Sequence, residues 1–363
     1  MKSIINHIKQ LDWILFGSTA LLTIIGLLSL YSFSIGRANY LDFHKQLAFF
    51  AIGFVLMILI SFFEWRLLKN DSYVVLFFYI VGVIALAGLF VFAHQIRGIR
   101  AWYTIGSISV DPIEFMKLVL AILMAKYFSM RHIEVYRIRH IFISGIYFAI
   151  PIFLIFLQPN LGSALVLGIL WIVMLLASGI KIRHFLAIIT VAILVFSVGW
   201  TSILHDYQKN RILSFIEPEL DPLGIGWSQL QAKIAIGNGG LFGQGIGKGT
   251  QTQYLFLSEP HTDFIFAAIG EEFGFAGIVA VFLCFLVLIW RILSVGIRAQ
   301  SNFPRLFAIG FAIVLIFQFF VNVGMNLGLF PIIGLPLPFV SYGGSSLVLS
   351  FVGIGILQSI KTH

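Results

Sequence analysis

Charge is what this sequence has least of. It holds 23 Lys and Arg and 15 Asp and Glu among 363 residues, 10% in all, against 60% hydrophobic residues. Soluble globular domains carry about a quarter charged residues, so with a mean hydropathy of +1.01 that class is excluded and an integral membrane protein is implied. The single cysteine, Cys284, lies in an apolar run, which rules out a disulfide framework and a cysteine-based metal site. Neither nucleotide fingerprint is present: Lys248 is followed by Gly249 rather than Ser or Thr, and no G-x-G-x-x-G follows a strand. The first residues, MKSIINHIKQLDW, lead into an apolar run without a small-residue cleavage site, so an uncleaved first span is expected.

What is abundant is apolar sequence in long runs. A span needs about 20 apolar residues, and ten candidates are found at about 13–33, 46–63, 73–93, 112–129, 141–157, 160–178, 184–204, 263–290, 306–328 and 339–360. The expectation is an all-α integral membrane protein, one polytopic domain over 1–363. An even number of spans puts both termini on one side. With that side cytoplasmic, the inner segments hold 14 of the 23 basic residues and the short outer loops only Arg37, Lys45, Arg97 and Arg100, the asymmetry of the positive-inside rule. A large loop over 205–262, between spans seven and eight, is then extracytoplasmic.

Polar sequence is concentrated in a few places. Gly26, Gly53, Gly82 and Gly88 suit close helix approach in the first three spans, which otherwise read as scaffold. The stretch IRGIRAWYTIGSISVDPIEFMK, Ile96 to Lys117, brings Arg97, Arg100 and Trp102 to the surface and Glu114 and Lys117 into the bilayer. Three apart on one helix face, Glu114 and Lys117 are either a self-satisfied pair or part of a polar cavity. The turn LQPNLGS, 157–163, is mechanically sufficient as a turn. The large loop opens with HDYQKNRILSFIEPELDPLGIGWSQLQAKIAIG, which contains Arg211 and has the near-helical apolar spacing of short amphipathic helices lying on the membrane surface. GNGGLFGQGIGKGTQTQ follows, either a flexible linker or a cradle of backbone N–H groups for an anion, with Lys248 beside it.

The focal run is SEPHTDFIFAAIGEE, Ser258 to Glu272, where an acidic residue stands at the entry to an apolar helix. Thr262 or Asp263 can cap that helix, yet Glu259, His261 and Asp263 also cluster near Lys248 at the membrane surface. Their spacing is not that of a helical zinc site. NVGMNLGLFPIIGLPLPFVSYGGSSL, Asn322 to Leu347, interrupts a hydrophobic stretch with Gly, Pro, Ser and Tyr, which lipid tolerates only where the backbone is buried or lines a cavity. It predicts an outer re-entrant turn with Asn322, Ser341, Tyr342, Ser345 and Ser346 as hydrogen-bonding groups, either at the site or as glue between helices.

That last motif resembles the C-terminal signature of the shape, elongation, division and sporulation family, and YQKNRILSFIEPELDPLGIGWSQLQAKIAIGNGGLFGQGIGKGTQTQYLFLSEPHTDFIFA is similar to the family's large outer loop. The resemblance covers nearly the whole chain. TQTQ and the minimal tails resemble the RodA branch more than the FtsW branch, which implies cell elongation and rod-shape maintenance rather than division. The sequence departs from the family at Asp111 and Ile113, where Gln and Ser are usual, at Asn160, where Asp is usual, and at Trp227, where Tyr is common.

The family implies a ten-span peptidoglycan glycosyltransferase of the bacterial cytoplasmic membrane, polymerising lipid II on its outer face with a class B penicillin-binding transpeptidase. Elongation-complex proteins similar to MreC and MreD are implied as further partners. It also implies that Asp263 is the essential acidic residue, a general base on the acceptor GlcNAc 4-hydroxyl, and that Trp102, Glu114 and Lys117 form a second functional cluster. Arg97, Arg100, Lys117, Arg211, Lys248 and the glycine loop are candidates to balance the pyrophosphate leaving group. The residues do not decide whether a divalent cation, magnesium or manganese, shares that work. Two other classes fit a ten-span protein with an outer polar site: a flippase for lipid-linked precursors and a non-catalytic scaffold.

Overall fold

The structure is a computed structural model, and it describes residues 7, 9–93, 101–106, 108–131, 138–202, 206–217 and 224–363. Ten long helices match the ten apolar runs: α1 (Trp13–Arg37), α2 (Leu41–Ser61), α4 (Ser72–Phe92), α5 (Pro112–Ser129), α6 (Ile138–Leu157), α7 (Leu161–Ala177), α8 (Ile182–Ser202), α12 (Ile265–Arg298), α13 (Asn302–Leu327) and α14 (Gly344–Thr362). Between them lie the short α3 (Arg66–Asn70), α9 (Asp206–Ile216), α10 (Ile225–Asn238) and α11 (Thr250–Gln253), and one hairpin. Among the described residues eight helices are long and apolar enough to cross a membrane. α7, at 17 residues, is shorter, and α5 carries Glu114, Lys117 and Lys126. The eighth and tenth runs need correction: α12 continues to Arg298, and residues 328–343 are irregular, so the final helix begins at Gly344.

α5 sits at the centre. It is apolar nearly all round, as a helix enclosed by others must be, and 14 of its 18 residues are buried. It packs against α4, α6, α7, α13 and α14, while α1 lies along α12 and α2 along α14. Rings fill the gaps, such as Phe285 stacked on Phe319 with centroids 4.1 Å apart. One end of the bundle is fastened by Asp12, which caps α1 by accepting from the Leu15 N–H at 3.2 Å. Its Oδ2 also meets Arg291 Nε at 2.5 Å and Lys361 Nζ at 3.3 Å. Gln358 closes the same knot through both backbone groups of Asp12, at 2.7 and 3.1 Å. A buried carboxylate is tolerable there because two cations and a backbone donor share it.

The hairpin pairs β1 (Tyr103–Ile105) antiparallel with β2 (Ile108–Val110), Tyr103 opposite Val110. Sequence reading makes this segment a plain loop; its strands are too short for alternation to show. The hairpin is pinned to α4 by the Tyr103 hydroxyl, which donates to the Ala85 carbonyl at 2.6 Å, and it delivers Asp111 to the head of α5.

Candidate functional site

A cavity of about 390 Å³ opens at the end of the bundle where the hairpin, the 328–343 segment and the run before α12 meet. Lys45, Trp102, Asp111, Glu114, Asn160, Ser163, Thr262, Asp263, Tyr342 and Ser345 are among the residues that line it. Segments more than two hundred residues apart in sequence thus present three carboxyl groups to one space.

Asp263 stands two residues before the helix that follows. α12 starts at Ile265, and its N-cap position is Phe264, without a side-chain cap. The backbone around Asp263 is held instead from behind. Its carbonyl oxygen accepts from Asn322 Nδ2 at 3.1 Å and Asn326 Nδ2 at 3.0 Å, and Asn326 Oδ1 takes the Ala267 N–H at 3.1 Å. Both asparagines are fully buried on α13, where a side-chain amide must find partners to be tolerated. One residue earlier, the Ser341 hydroxyl donates to the Thr262 carbonyl at 2.7 Å. One earlier still, the Tyr342 N–H donates to the His261 carbonyl at 2.9 Å. In front, Asp263 Oδ2 lies 3.5 Å from where a side chain on Gly334 would begin.

The 328–343 segment is the re-entrant turn that its Gly and Pro content predicts. Leu335, Leu337, Phe339 and Val340 are buried, and the backbone groups freed by the loss of helix are answered by side chains. Asn322 donates to the Leu335 carbonyl at 2.8 Å, Ser341 accepts from the Leu337 N–H at 2.9 Å, and Gln46 on α2 spans the Ser341 carbonyl and the Gly343 N–H, both at 3.2 Å. Asp42 lies near the Tyr342 hydroxyl.

On the opposite wall, Lys117 Nζ donates to Glu114 Oε1 at 2.6 Å, with side chains 3% and 13% exposed. The pair is self-satisfied and also borders the cavity through Glu114. Asp111 caps α5, accepting from the Ile113 N–H at 2.8 Å, and its own N–H donates to Ser345 Oγ at 2.9 Å. Desolvation pushes the Asp111 carboxyl up to about 7; Glu114 adds to this, while Lys117 and the Ile113 N–H oppose it.

Several expected residues are elsewhere. Lys248 is exposed and Arg211 half-buried on α9, and neither is among the residues lining the cavity. Arg97 and Arg100 lie outside the described residues. His261 contributes its backbone, while its ring stacks on Phe33 at 5.1 Å and lies 3.7 Å from Glu259. α10 has one face on the bundle and one exposed: Ala232 and Ala235 are buried against Phe264 and Ala267, and Gln229 donates to the Phe330 carbonyl at 3.2 Å, while Trp227 and Leu230 are exposed.

The glycine-rich stretch has a structural task. α12 breaks at Gly274, which has φ +66°, and the loop threads into the break. The N–H groups of Gln244 and Gly245 donate to the carbonyls of Glu271 and Glu272, and those of Phe275 and Ala276 donate to the carbonyls of Gly240 and Leu241, all at 2.9–3.0 Å. Glu271 then caps α11, taking the N–H groups of Gln251 and Thr252 at 2.7 and 2.9 Å. Glu272 accepts from the Ser32 hydroxyl.

Sequence reasoning missed Lys45, Gln46, Ser163 and Asn326. The Asn322/Asn326 spacing of four residues puts both amides on one helix face, and that signal was available. Among the described residues no three His, Cys, Asp or Glu side chains come together to cage a metal ion. A divalent ion here would depend on a ligand's phosphates for most of its coordination.

With this geometry in view, the chain can be set beside known proteins. It is 34% identical over 349 residues to the peptidoglycan glycosyltransferase MrdB of Escherichia coli K12, across 95% of this chain and 93% of that one. A solved structure described as "Structural coordination of polymerization and crosslinking by a peptidoglycan synthase complex" superposes with a TM-score of 0.80 at 29% identity, covering 97% of both chains. The rod shape determining protein RodA of Thermus thermophilus superposes with a TM-score of 0.70 at 27% identity, covering 97% of this chain and 96% of that one. The family model described as cell cycle protein, FtsW/RodA/SpoVE, matches residues 12–363, and the chain belongs to that family.

Proposed function

We propose that this protein is a peptidoglycan glycosyltransferase that polymerises lipid II on the outer face of the cytoplasmic membrane, with Asp263 as general base. The observation that carries this reading is the Asp263 carboxylate in the cavity wall, on a backbone fixed from behind by Asn322, Asn326 and Ser341. A base held this firmly loses little freedom when its partner hydroxyl arrives. The names of the MrdB and synthase-complex relatives support the substrate class.

In this mechanism the acceptor GlcNAc 4-hydroxyl gives its proton to Asp263 while its oxygen bonds to the anomeric carbon of the donor MurNAc. The bond from that carbon to the undecaprenyl pyrophosphate breaks, and the pyrophosphate leaves with the electron pair. An α-linked donor becomes a β-linked product. Lys45 is the described cation lining the cavity and is suited to the leaving group, with Lys117 acting one step back through Glu114. Trp102, Thr262, Tyr342 and Ser345 supply a ring face and hydroxyls for sugar contacts. A class B penicillin-binding transpeptidase is the partner that would cross-link the strands. A role in elongation, beside proteins similar to MreC and MreD, rests on the TQTQ segment.

The test is lipid II polymerisation by purified protein, with and without the transpeptidase, for wild type and Asp263→Asn. Loss of a general base costs about 10²- to 10⁴-fold, and that fall in a well-folded variant is expected. Polymerisation at the wild-type rate by Asp263→Asn would remove Asp263 from catalysis. No polymer from wild type even with its partner would favour transport of the lipid precursor.

A further inference from the structure

At the far end of α5 from Glu114, about 18 Å along the helix axis by its rise per residue, stands a charge that the proposed reaction does not use. Lys126 is 6% exposed, and its Nζ has no hydrogen-bond partner among the described residues. Asp71, whose charge acts on it, caps α4 by accepting from the Tyr73 N–H at 2.8 Å. A buried ammonium to which no described side chain bonds is costly, and long cationic side chains near helix ends usually avoid the cost by reaching to the interface. Lys126 does not.

Lys126 instead lines a cavity of about 250 Å³ between α4, α5 and α6. Val75, Leu76 and Leu123 give that cavity an apolar wall. At its rim Arg131 is exposed, its guanidinium 4.9 Å over the Tyr127 ring and its Nη1 3.3 Å from the Tyr127 hydroxyl. The flank of α4 beside it is apolar and uncovered, with Tyr73 82% and Phe77 61% exposed. Two cations at one end of an apolar slot that opens on a lipid-facing flank match an anion carrying an apolar tail. A small soluble anion would satisfy the cations and leave the wall unfilled.

We propose that this cavity binds an anionic phospholipid, its headgroup phosphate held by Lys126 and Arg131 and an acyl chain lying along Val75, Leu76 and Leu123. The site lies at the opposite end of the bundle from Asp263 and so takes a lipid of the opposite leaflet from the one that serves the cavity at Asp263.

Native mass spectrometry of the full chain in detergent, with equal phosphatidylglycerol and phosphatidylcholine, reads the proposal directly. Wild type should retain phosphatidylglycerol in preference, and Lys126→Met should lower that retention by about fivefold, the order expected for one cation beside a lipid phosphate. Arg131→Gln should give a smaller loss, and Arg305→Gln, an exposed cation elsewhere, no loss. Lys126→Met removes a buried charge, so without lipid its unfolding midpoint should equal or exceed that of wild type, which separates lost binding from lost folding. Equal retention by Lys126→Met, or no preference in wild type, would overturn the site. Equal stabilisation of wild type by inorganic phosphate alone would replace the lipid with a soluble anion and overturn the proposal as stated.

Discussion

At the scale of single residues, buried amides hold the backbone at Asp263. Asn326 serves the Asp263 carbonyl, the Asn322 carbonyl at 2.7 Å and the Ala267 N–H at once. Asn326→Ala leaves buried backbone groups short of partners, at about 1–3 kcal/mol. We expect a lower unfolding midpoint in detergent and a larger fall in lipid II polymerisation than in stability. Asn326→Asp should be as damaging, because it keeps the acceptor for Ala267 and loses both donations.

Asp111 gives a pH signature at the same scale. Its carboxyl is raised from an ordinary value to about 7 in the folded protein, so the folded state holds the proton more tightly than the unfolded state. The stability this contributes is fully present below about pH 4 and is lost as pH rises through about 7. Asp111→Asn retains an acceptor for the Ile113 N–H and has nothing to titrate. Its stability relative to wild type, read from thermal unfolding, should rise between pH 4 and 7, by at most about 2 kcal/mol because the cavity is open to solvent. A constant difference across that range would contradict the assignment. Asp111 was visible in the sequence as a departure from the family pattern, but its cost depends on Glu114 and the cavity wall, which only the fold brings beside it.

At the scale of elements, the break in α12 and the glycine-rich loop form one device. Each glycine in the loop looks alike in sequence, yet their surroundings differ. A side chain on Gly243 would lie 2.1 Å from the Glu272 carbonyl oxygen, and one on Gly274 would lie 2.3 Å from the Gly243 nitrogen, backbone atoms that cannot swing away. Gly240, at φ +54°, has nothing within 4 Å. Gly240→Ala should therefore cost only the left-handed backbone, about 1–2 kcal/mol. Gly243→Ala and Gly274→Ala should separate the loop from α12 and lower the yield of folded protein or its unfolding midpoint much further. Similar effects from all three would mean that the threading is not what holds the loop. Glycine density alone left an anion cradle and a flexible linker equally open, because the partner strand of backbone is more than twenty residues away.

At the scale of the molecule, the long helices were legible because span length is set by the bilayer, and apolar runs report it without tertiary information. Which helix stands at the centre was not legible. α5, with its three charged residues, reads as less suited to burial than α8, yet α5 is enclosed and α8 is almost wholly uncovered, whereas α13 is mostly buried. Lipid solvates apolar side chains as well as protein does, so hydropathy cannot distinguish a helix that faces lipid from one that faces protein. Close packing does distinguish them. Leu170 on α7 is fully buried, and Leu170→Ala should cost about 2–5 kcal/mol through the cavity it leaves. Leu194 on α8 is 60% exposed, and Leu194→Ala should stay within about 0.5 kcal/mol. Thermal unfolding of both variants in the same detergent compares them directly. A large loss at Leu194 for the isolated chain would mean that α8 packs against the bundle, or against a second chain, in solution. A neutral result in isolation followed by a loss once the transpeptidase is added would place that partner on α8.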